Sequence, residues 1–369
     1  MKYYELDTPS LLIDRDRLAD NLMRMQHYAD ENRCALRPHT KTHKMPDIAK
    51  LQLEAGACGI AVAKVGEAEA MSAHGIRDIF IANEIVGDIK LARIAALSKS
   101  GTNIAFGVDA PSHVRAAERV FAASGVTVDV LIEIEVGECR SGIIEEADFI
   151  ELLNCIRECR HVGFRGIFSH DGNSYYAADI AALNAVADGA QRRTLHFARI
   201  AREHGMPCRT VSYGSTPTFI NHVKILDGIT ELRPGTYALM DASQANAIGT
   251  LEHCAATVLA AVISKPTAER TILDVGAKGL TMQRRTEGVC ATMGNGTVYE
   301  QPNVHIDAVF DEHAIINNRL FHDSVEIGDK VRVIPVHICP VCNLYDRAYL
   351  ISGDDVVLEM EVSARGRLQ

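Results

Sequence analysis

The sequence predicts an α/β protein: a (β/α)8 TIM-type barrel followed by a smaller, mostly-β domain. Three observations point there. Short β-rich runs alternate with helix-spaced segments as far as residue 250, the alternation stops near Ala255, and the chemistry-bearing side chains fall where the runs end. Alternating strand and helix implies a parallel sheet, and eight such units imply a closed barrel with its chemistry at the strands' C-terminal ends.

In order, the runs are "CALRPHTK" from Cys34, "CGIAVAK" from Cys58, "DIFIAN" from Asp78 and "NIAFGVD" from Asn103. "VDVLIEIEVG" from Val128, "GFRGIFSHDG" from Gly163, "CRTVSYGS" from Cys208 and "GITELRPGTYALMD" from Gly228 complete the eight. Met45–Ala55, Val65–His74, Pro111–Ala123 and Ala181–His204 carry apolar residues three and four apart, the helical period. Beyond Ala255, "TVLAAVISK", "RTILDVGAK", "DKVRVIPVHIC" and "VVLEMEVSARG" read as strands joined by turns. The barrel is therefore placed at 8–250 and the β-rich domain at 251–369, joined by N-terminal residues 1–14 with a strand at Thr8–Asp14.

The 369 residues suffice for a barrel plus a second domain. Apolar residues make up 47% and charged ones 23%, the composition of an ordinary globular chain. A formal net charge of -10 argues against a general nucleic-acid binder, which needs a broad basic face. The start "MKYYELDTPSLLID" shows no secretory signal, and the longest apolar run, Thr257–Ile263, is far too short for a membrane span. Ten cysteines without a regular framework read as mostly buried thiols, and the expected compartment is the cytoplasm.

"LRPHTKTHK", Leu36–Lys44, ends the first barrel run. A solvated basic patch would explain it. The alternative is a nucleophilic lysine, Lys41, whose pKa nearby cations and burial would lower. Arg37, His39 and His43 are its candidate neighbours, and Lys44 is assigned to the following helix. "YGSTPT", Tyr213–Thr218, offers Gly214, Ser215 and Thr216 at a strand-to-helix turn suited to phosphate, and "RPGTY" adds Arg233, Gly235, Thr236 and Tyr237. Plain loop turns are the bland alternative. Arg140 in "VGECRSG" could face an anionic oxygen or simply lie on the surface. His170 in "SHDGNSYY" could stack under a cofactor or be structural, with Asn173 and Tyr175 beyond it. In "VHICPVC", strand alternation would point His337 and Cys339 to one face, an imidazole–thiolate pair suited to zinc. Cys339 and Cys342 also form a C-x-x-C pair, so a redox role stays open. Cys155 and Cys159 read as buried helix residues.

Together these motifs resemble the fold-type III pyridoxal-phosphate enzymes related to D-threonine aldolase and D-serine dehydratase, with an alanine racemase-like barrel, from "DTPSLLID" to "VSARG". The resemblance implies that Lys41 bonds the cofactor as an imine and that Gly214, Ser215 and Thr216, with Gly235, Thr236 and Tyr237 nearby, hold its phosphate. Arg140 would reach the phenolic oxygen and His170 would pack on the ring, with Tyr175 and Arg233 also at the cofactor. "DEHAII" from Asp311 resembles the segment preceding the family's metal motif, and "HICPVCNLYD" the motif itself. His337 and Cys339 would thus bind a divalent metal: zinc, manganese or magnesium. Val336 stands where a polar residue is expected before the histidine. Some aldolases of this group carry aspartate at the position of Cys339, whereas cysteine is familiar among the dehydratases. The implied activity is a lyase acting on D-β-hydroxy-α-amino acids, first as a D-threonine aldolase. D-serine or D-3-hydroxyaspartate dehydration is the alternative, and racemisation is disfavoured by the metal motif. The implied partner is a small D-amino acid, with no nucleic acid or membrane, and the implied assembly is a homodimer.

Overall fold

A strand, β1 (Ser10–Asp14), precedes the eight runs, which form β2 (Ala35–Leu36), β3 (Ile60–Val62), β4 (Asp78–Glu84), β5 (Asn103–Val108), β6 (Val128–Ile134), β7 (Val162–Ser169), β8 (Thr210–Tyr213) and β9 (Glu231–Leu232). The computed structural model describes Met1–Gln369 as two units. The barrel unit comprises Met25–Lys41, Ile48–Gly235 and Gly366–Gln369; the β-rich unit comprises Met1–Arg24, Thr42–Asp47 and Thr236–Arg365. No helix is long and apolar enough to cross a membrane.

The barrel strands pair in the order β2-β9-β8-β7-β6-β5-β4-β3, all parallel. Hydrogen bonds from Ala61 N–H to the Pro38 carbonyl and from Thr40 N–H to the Ala61 carbonyl, both 2.8 Å, join the two edges. Closure removes the exposed strand edges that an open sheet would present. Alternate residues point inward, so Ala61, Phe80, Ala105, Leu131 and Phe168 form an apolar plug. Phe80 meets Phe168 edge-on at 5.1 Å.

The four helices expected from apolar spacing appear as Pro46–Glu54, Val65–Ala73, Pro111–Ser124 and Ile180–Glu203. Local chemistry sets their ends. Pro111 stands at the start of its helix, whose end is Gly125 in the left-handed region, and the Asp179 side chain caps the longest by accepting from the Ala182 amide at 2.8 Å. Asp88–Lys99 and Glu146–Arg157 are two more, whose apolar stripes the sequence reading did not single out.

In the β-rich unit, β10 (Ala256–Ser264), β11 (Arg270–Leu273), β12 (Gly296–Val298), β13 (Ala308–Val309), β14 (Ala314–Asn317), β15 (Lys330–Pro335), β16 (Arg347–Ser352) and β17 (Asp355–Glu361) join β1 in one sheet. β1 runs antiparallel to β10 and parallel to β16. Leu6, Leu12, Leu259 and Ile351 form one buried cluster beneath that junction.

Several local expectations fail. β15 stops at Pro335, His337 is the N-cap of the short helix Ile338–Cys342 and Cys339 lies within it, so strand alternation does not relate them. Lys44 is not helical: the helix begins at Pro46, and buried Lys44 takes the left-handed conformation at φ 60°. Cys155 lies in a helix that ends at Arg157, before Cys159, and both are only half-buried. All ten cysteines are free, but just four are buried.

Arg37 faces away from Lys41's chemistry. Its guanidinium is buried against Glu231 at 2.7 Å and Asp78 at 2.5 Å, tying β2 to the starts of β9 and β4. Removing one partner of a buried ion cluster strands the others without compensation. Arg37→Ala should therefore lose about 3 kcal/mol of stability in denaturant unfolding, and an unchanged midpoint would contradict this role.

Candidate functional site

The mouth of the barrel unit gathers most of the residues singled out above. The chain after β2 is held on both sides: Arg37 and His39 donate their amides to the Leu232 and Pro234 carbonyls at 2.9 and 2.8 Å, while Pro38 and Thr40 bond Ala61. Lys41 follows this clamp at once and is partly exposed. Its amide donates to His39 Nδ1 at 3.5 Å. His39 is buried, and burial followed by the charges of Lys41, Arg233, His170 and Arg140 pulls its pKa well below the usual range.

His170 ends β7. Its Nδ1 lies 2.9 Å from the Gly214 carbonyl, which can only accept, so Nδ1 carries the proton and Nε2 keeps its lone pair. Burial, then Lys41 and Arg140, lower its pKa well below the ordinary value and keep the ring neutral. Arg233 points into the barrel. It donates to the Ser212 hydroxyl at 2.5 Å and the Ser169 carbonyl at 2.8 Å, with its guanidinium 5.2 Å from the Phe168 ring centre. Burial lowers its pKa to about 10, which still leaves it cationic at neutral pH. Arg140 is exposed and pairs with Glu138 at 3.2 Å and Glu133 at 3.6 Å. Tyr175 lies half-buried in the 3-10 turn Gly172–Tyr176.

After β8, Tyr213–Thr218 turns into the short helix Thr216–Ile220. Gly214 has φ 127°, and a Cβ there would sit 1.9 Å from the Phe219 ring, so only glycine fits. Ser215 stands at the N-cap position but does not cap: its hydroxyl is paired with that of Ser174 at 2.8 Å. The Gly235 amide donates to Thr216 Oγ1 at 3.1 Å, linking the two glycine turns. Small residues, a helix start without a side-chain cap and buried hydroxyls are the donor set that a phosphate ester uses.

A carboxyl pair went unnoticed in the sequence. Glu84 ends β4 and Glu133 lies near the end of β6, both projecting inward at strand period. Burial, then the hydrogen bond and charge of Glu133, then the charge of Asp109, push Glu84 up to about 9. Glu84 is therefore protonated at neutral pH while Glu133 engages Arg140 and the Ser141 hydroxyl.

Within the β-rich unit, Thr236 and Tyr237 are buried in the 3-10 turn Thr236–Ala238. Thr236 Oγ1 lies 3.5 Å from Cys339 Sγ, and the thiol donates to Thr42 Oγ1 at 3.2 Å. His337 Nδ1 pairs with Gln283 Oε1 at 2.9 Å, an acceptor that fixes the proton on Nδ1. Nitrogen and sulfur donors two residues apart suit a borderline-soft divalent metal, and no third His, Cys, Asp or Glu completes a closed structural site. That pattern fits a metal keeping positions for water or substrate.

Asp241 holds this motif in place. One carboxylate oxygen accepts from the Ser243 hydroxyl and the Gln244 amide, both at 2.9 Å; the other accepts from the Ile338 amide, between His337 and Cys339, at 3.0 Å. Ser243 N–H donates to the Val336 carbonyl at 3.3 Å. The buried Val336 side chain takes no part in this polar support. "DASQ" carries an N-cap signal, but its second duty at Ile338 is a tertiary contact no local pattern announces.

The fold and the mouth define the class. A sequence profile for the alanine racemase N-terminal domain matches residues 13–243, and one for a putative serine dehydratase domain matches 255–351. The chain belongs to this family of fold-type III pyridoxal-phosphate enzymes and is an enzyme whose named relatives are lyases. More particularly, it is 34% identical over 367 residues to a D-threonine aldolase of Arthrobacter, covering 98% of this chain and 93% of that protein. A D-threo-3-hydroxyaspartate dehydratase of Delftia is 32% identical, covering 96% and 97%. The solved D-threonine aldolase of Filomicrobium marinum superimposes with a TM-score of 0.91 at 30% identity, covering 100% of this chain and 98% of that one.

Asp241→Ala should remove three hydrogen bonds from a buried carboxylate and cost roughly 3 kcal/mol. Denaturant unfolding measures it, and a loss below about 0.5 kcal/mol would sink the assignment.

Proposed function

We propose that the chain is a pyridoxal 5'-phosphate- and divalent-metal-dependent lyase that cleaves D-threonine-like β-hydroxy-α-amino acids to glycine and an aldehyde. The observation that carries this reading is the full-length likeness to a D-threonine aldolase in a chain that keeps Lys41 after β2 and a His-x-Cys pair.

Lys41 Nζ would hold the cofactor, the Gly214–Thr216 turn with Gly235, Thr236 and Tyr237 its phosphate, and Arg140, His170, Tyr175 and Arg233 its ring and surroundings. Bound, pyridoxal phosphate supplies an electron sink for bond breaking at Cα. A divalent metal on His337 and Cys339 would polarise the substrate's β-hydroxyl. The remaining work falls to the chain. Loss of the hydroxyl proton to a base breaks Cα–Cβ, whereas removal of the α-proton, for which Lys41 Nζ is the candidate base, leads to loss of the hydroxyl. His170 Nε2, with its lone pair, is a hydrogen-bond acceptor at the barrel mouth.

Dehydration of D-3-hydroxyaspartate or D-serine is the second reading, and Cys339 favours it. A D-threo-3-hydroxyaspartate dehydratase is described in a metal-free form as a cysteine-to-alanine variant, and a histidine two positions earlier has been replaced in another structure. That spacing is the spacing of His337 and Cys339.

Purified protein should show the yellow absorbance of bound cofactor, and Lys41→Ala should be colourless; an unchanged spectrum would refute the lysine's role. Cys339→Ala should keep the cofactor band and lose metal-dependent turnover, as should chelation. Full turnover after complete metal removal would exclude both lyase readings and favour a racemase. D-threonine and D-serine assayed side by side separate the first two: glycine plus acetaldehyde marks the aldolase, pyruvate plus ammonia the dehydratase.

A further inference from the structure

Asp171, next to His170, is fully buried and has no part in the roles assigned above. Its Oδ2 accepts from the Tyr213 hydroxyl and from Thr218 Oγ1, both at 2.6 Å. Tyr213 ends β8 and Thr218 lies in the helix that follows, so one oxygen atom ties both ends of the Tyr213–Thr218 turn. The neighbouring residues repeat the pattern. Gly214 N–H donates to the Ser169 carbonyl at 3.3 Å, His170 donates to the Gly214 carbonyl, and Ser174 pairs with Ser215. The segment Ser169–Ser174 thus backs the whole turn.

A carboxyl oxygen that only accepts forces both hydroxyl protons toward itself. Burial raises the Asp171 pKa, while the bonds from Thr218, Tyr213 and Ser215 work the other way. A buried carboxyl needs such donors, and without it the two hydroxyls would lose their shared acceptor. Gly214, pressed against Phe219, leaves the turn little room to find another shape.

We propose that Asp171 is a positioning residue for the turn: it sets the conformation in which Ser215 and Thr216 receive a phosphate ester. This rests on the cofactor reading above. It predicts an effect on the phosphate group alone, because Asp171 acts through the turn and the rest of the cofactor does not depend on it.

The test compares binding of pyridoxal 5'-phosphate and pyridoxal to the full-length apoprotein, by absorbance titration. Wild type should prefer the phosphorylated form strongly. Asp171→Ala should lose about ten- to a hundredfold of that preference, the scale of a lost hydrogen bond to a charged group, while pyridoxal binds as before. Asp171→Asn, whose amide oxygen can accept from the same two hydroxyls, should restore the preference. If Asp171→Ala fails to fold, Thr218→Val and Tyr213→Phe each remove one donor and should each lower the preference severalfold. An unchanged preference in these variants, or equal losses for both ligands, overturns the proposal. Wild-type protein that binds both ligands equally refutes the turn as the phosphate site, and protein that binds neither overturns the cofactor reading and this inference with it.

Discussion

The barrel mouth depends on a backbone constraint: the segment Arg37–Thr40 is hydrogen-bonded to Leu232 and Pro234 on one side and to Ala61 on the other. Those bonds close the sheet. They also leave Lys41 as the first residue beyond a rigid clamp, so the place of its Cα is set by the barrel rather than by a loop. A nucleophile that must meet one atom of a cofactor gains from that rigidity, since misplacement by an ångström costs much of the rate. The next residue, Thr42, accepts a hydrogen bond from Cys339.

Electrostatics at the mouth is organised around cations. Lys41, Arg140 and Arg233 all push His39 and His170 toward the neutral form, in the same direction as burial. Neutral imidazoles serve here as hydrogen-bonding groups rather than added charges. Glu133 and Glu138 partly offset Arg140, and Glu84 avoids adding a further negative charge by remaining protonated. The net result is a mouth of mixed charge rather than an unbroken basic patch.

Much of this was legible in the chain. The eight runs became eight strands because each is apolar enough to be buried on both faces, and Gly, Pro and Asp mark their limits. The turn "YGSTPT" was visible because glycine and hydroxyl residues at a strand end carry local meaning. The misreadings share a cause. Alternation carried β15 past Pro335, although the carbonyl of Val336 and the amide of Ile338 answer to Ser243 and Asp241, about a hundred positions away. Lys44 looked helical by proximity, and Arg37 looked like a neighbour of Lys41 by proximity, yet each is fixed by partners distant in sequence: Ala364 for Lys44, Glu231 and Asp78 for Arg37. Asp171 gave no signal, because an aspartate after a histidine has no pattern until Tyr213 and Thr218 arrive from the next strand.

Aldol cleavage and dehydration begin from one bound substrate and differ in which proton departs first. A hydroxyl proton requires a base near the metal motif, where the thiol of Cys339 meets two threonine hydroxyls, Thr42 and Thr236, and His337 is fixed by Gln283. On the dehydratase reading the α-proton requires a base, and Lys41, which follows β2, is the candidate. The two proposed readings therefore call on different residues of the chain. On the aldolase reading, the lysine's duty ends with holding and releasing the cofactor; on the dehydratase reading, the released amine does a second job at Cα. The two readings thus differ in which proton the chain removes, the hydroxyl proton before Cα–Cβ breaks or the α-proton before the hydroxyl leaves.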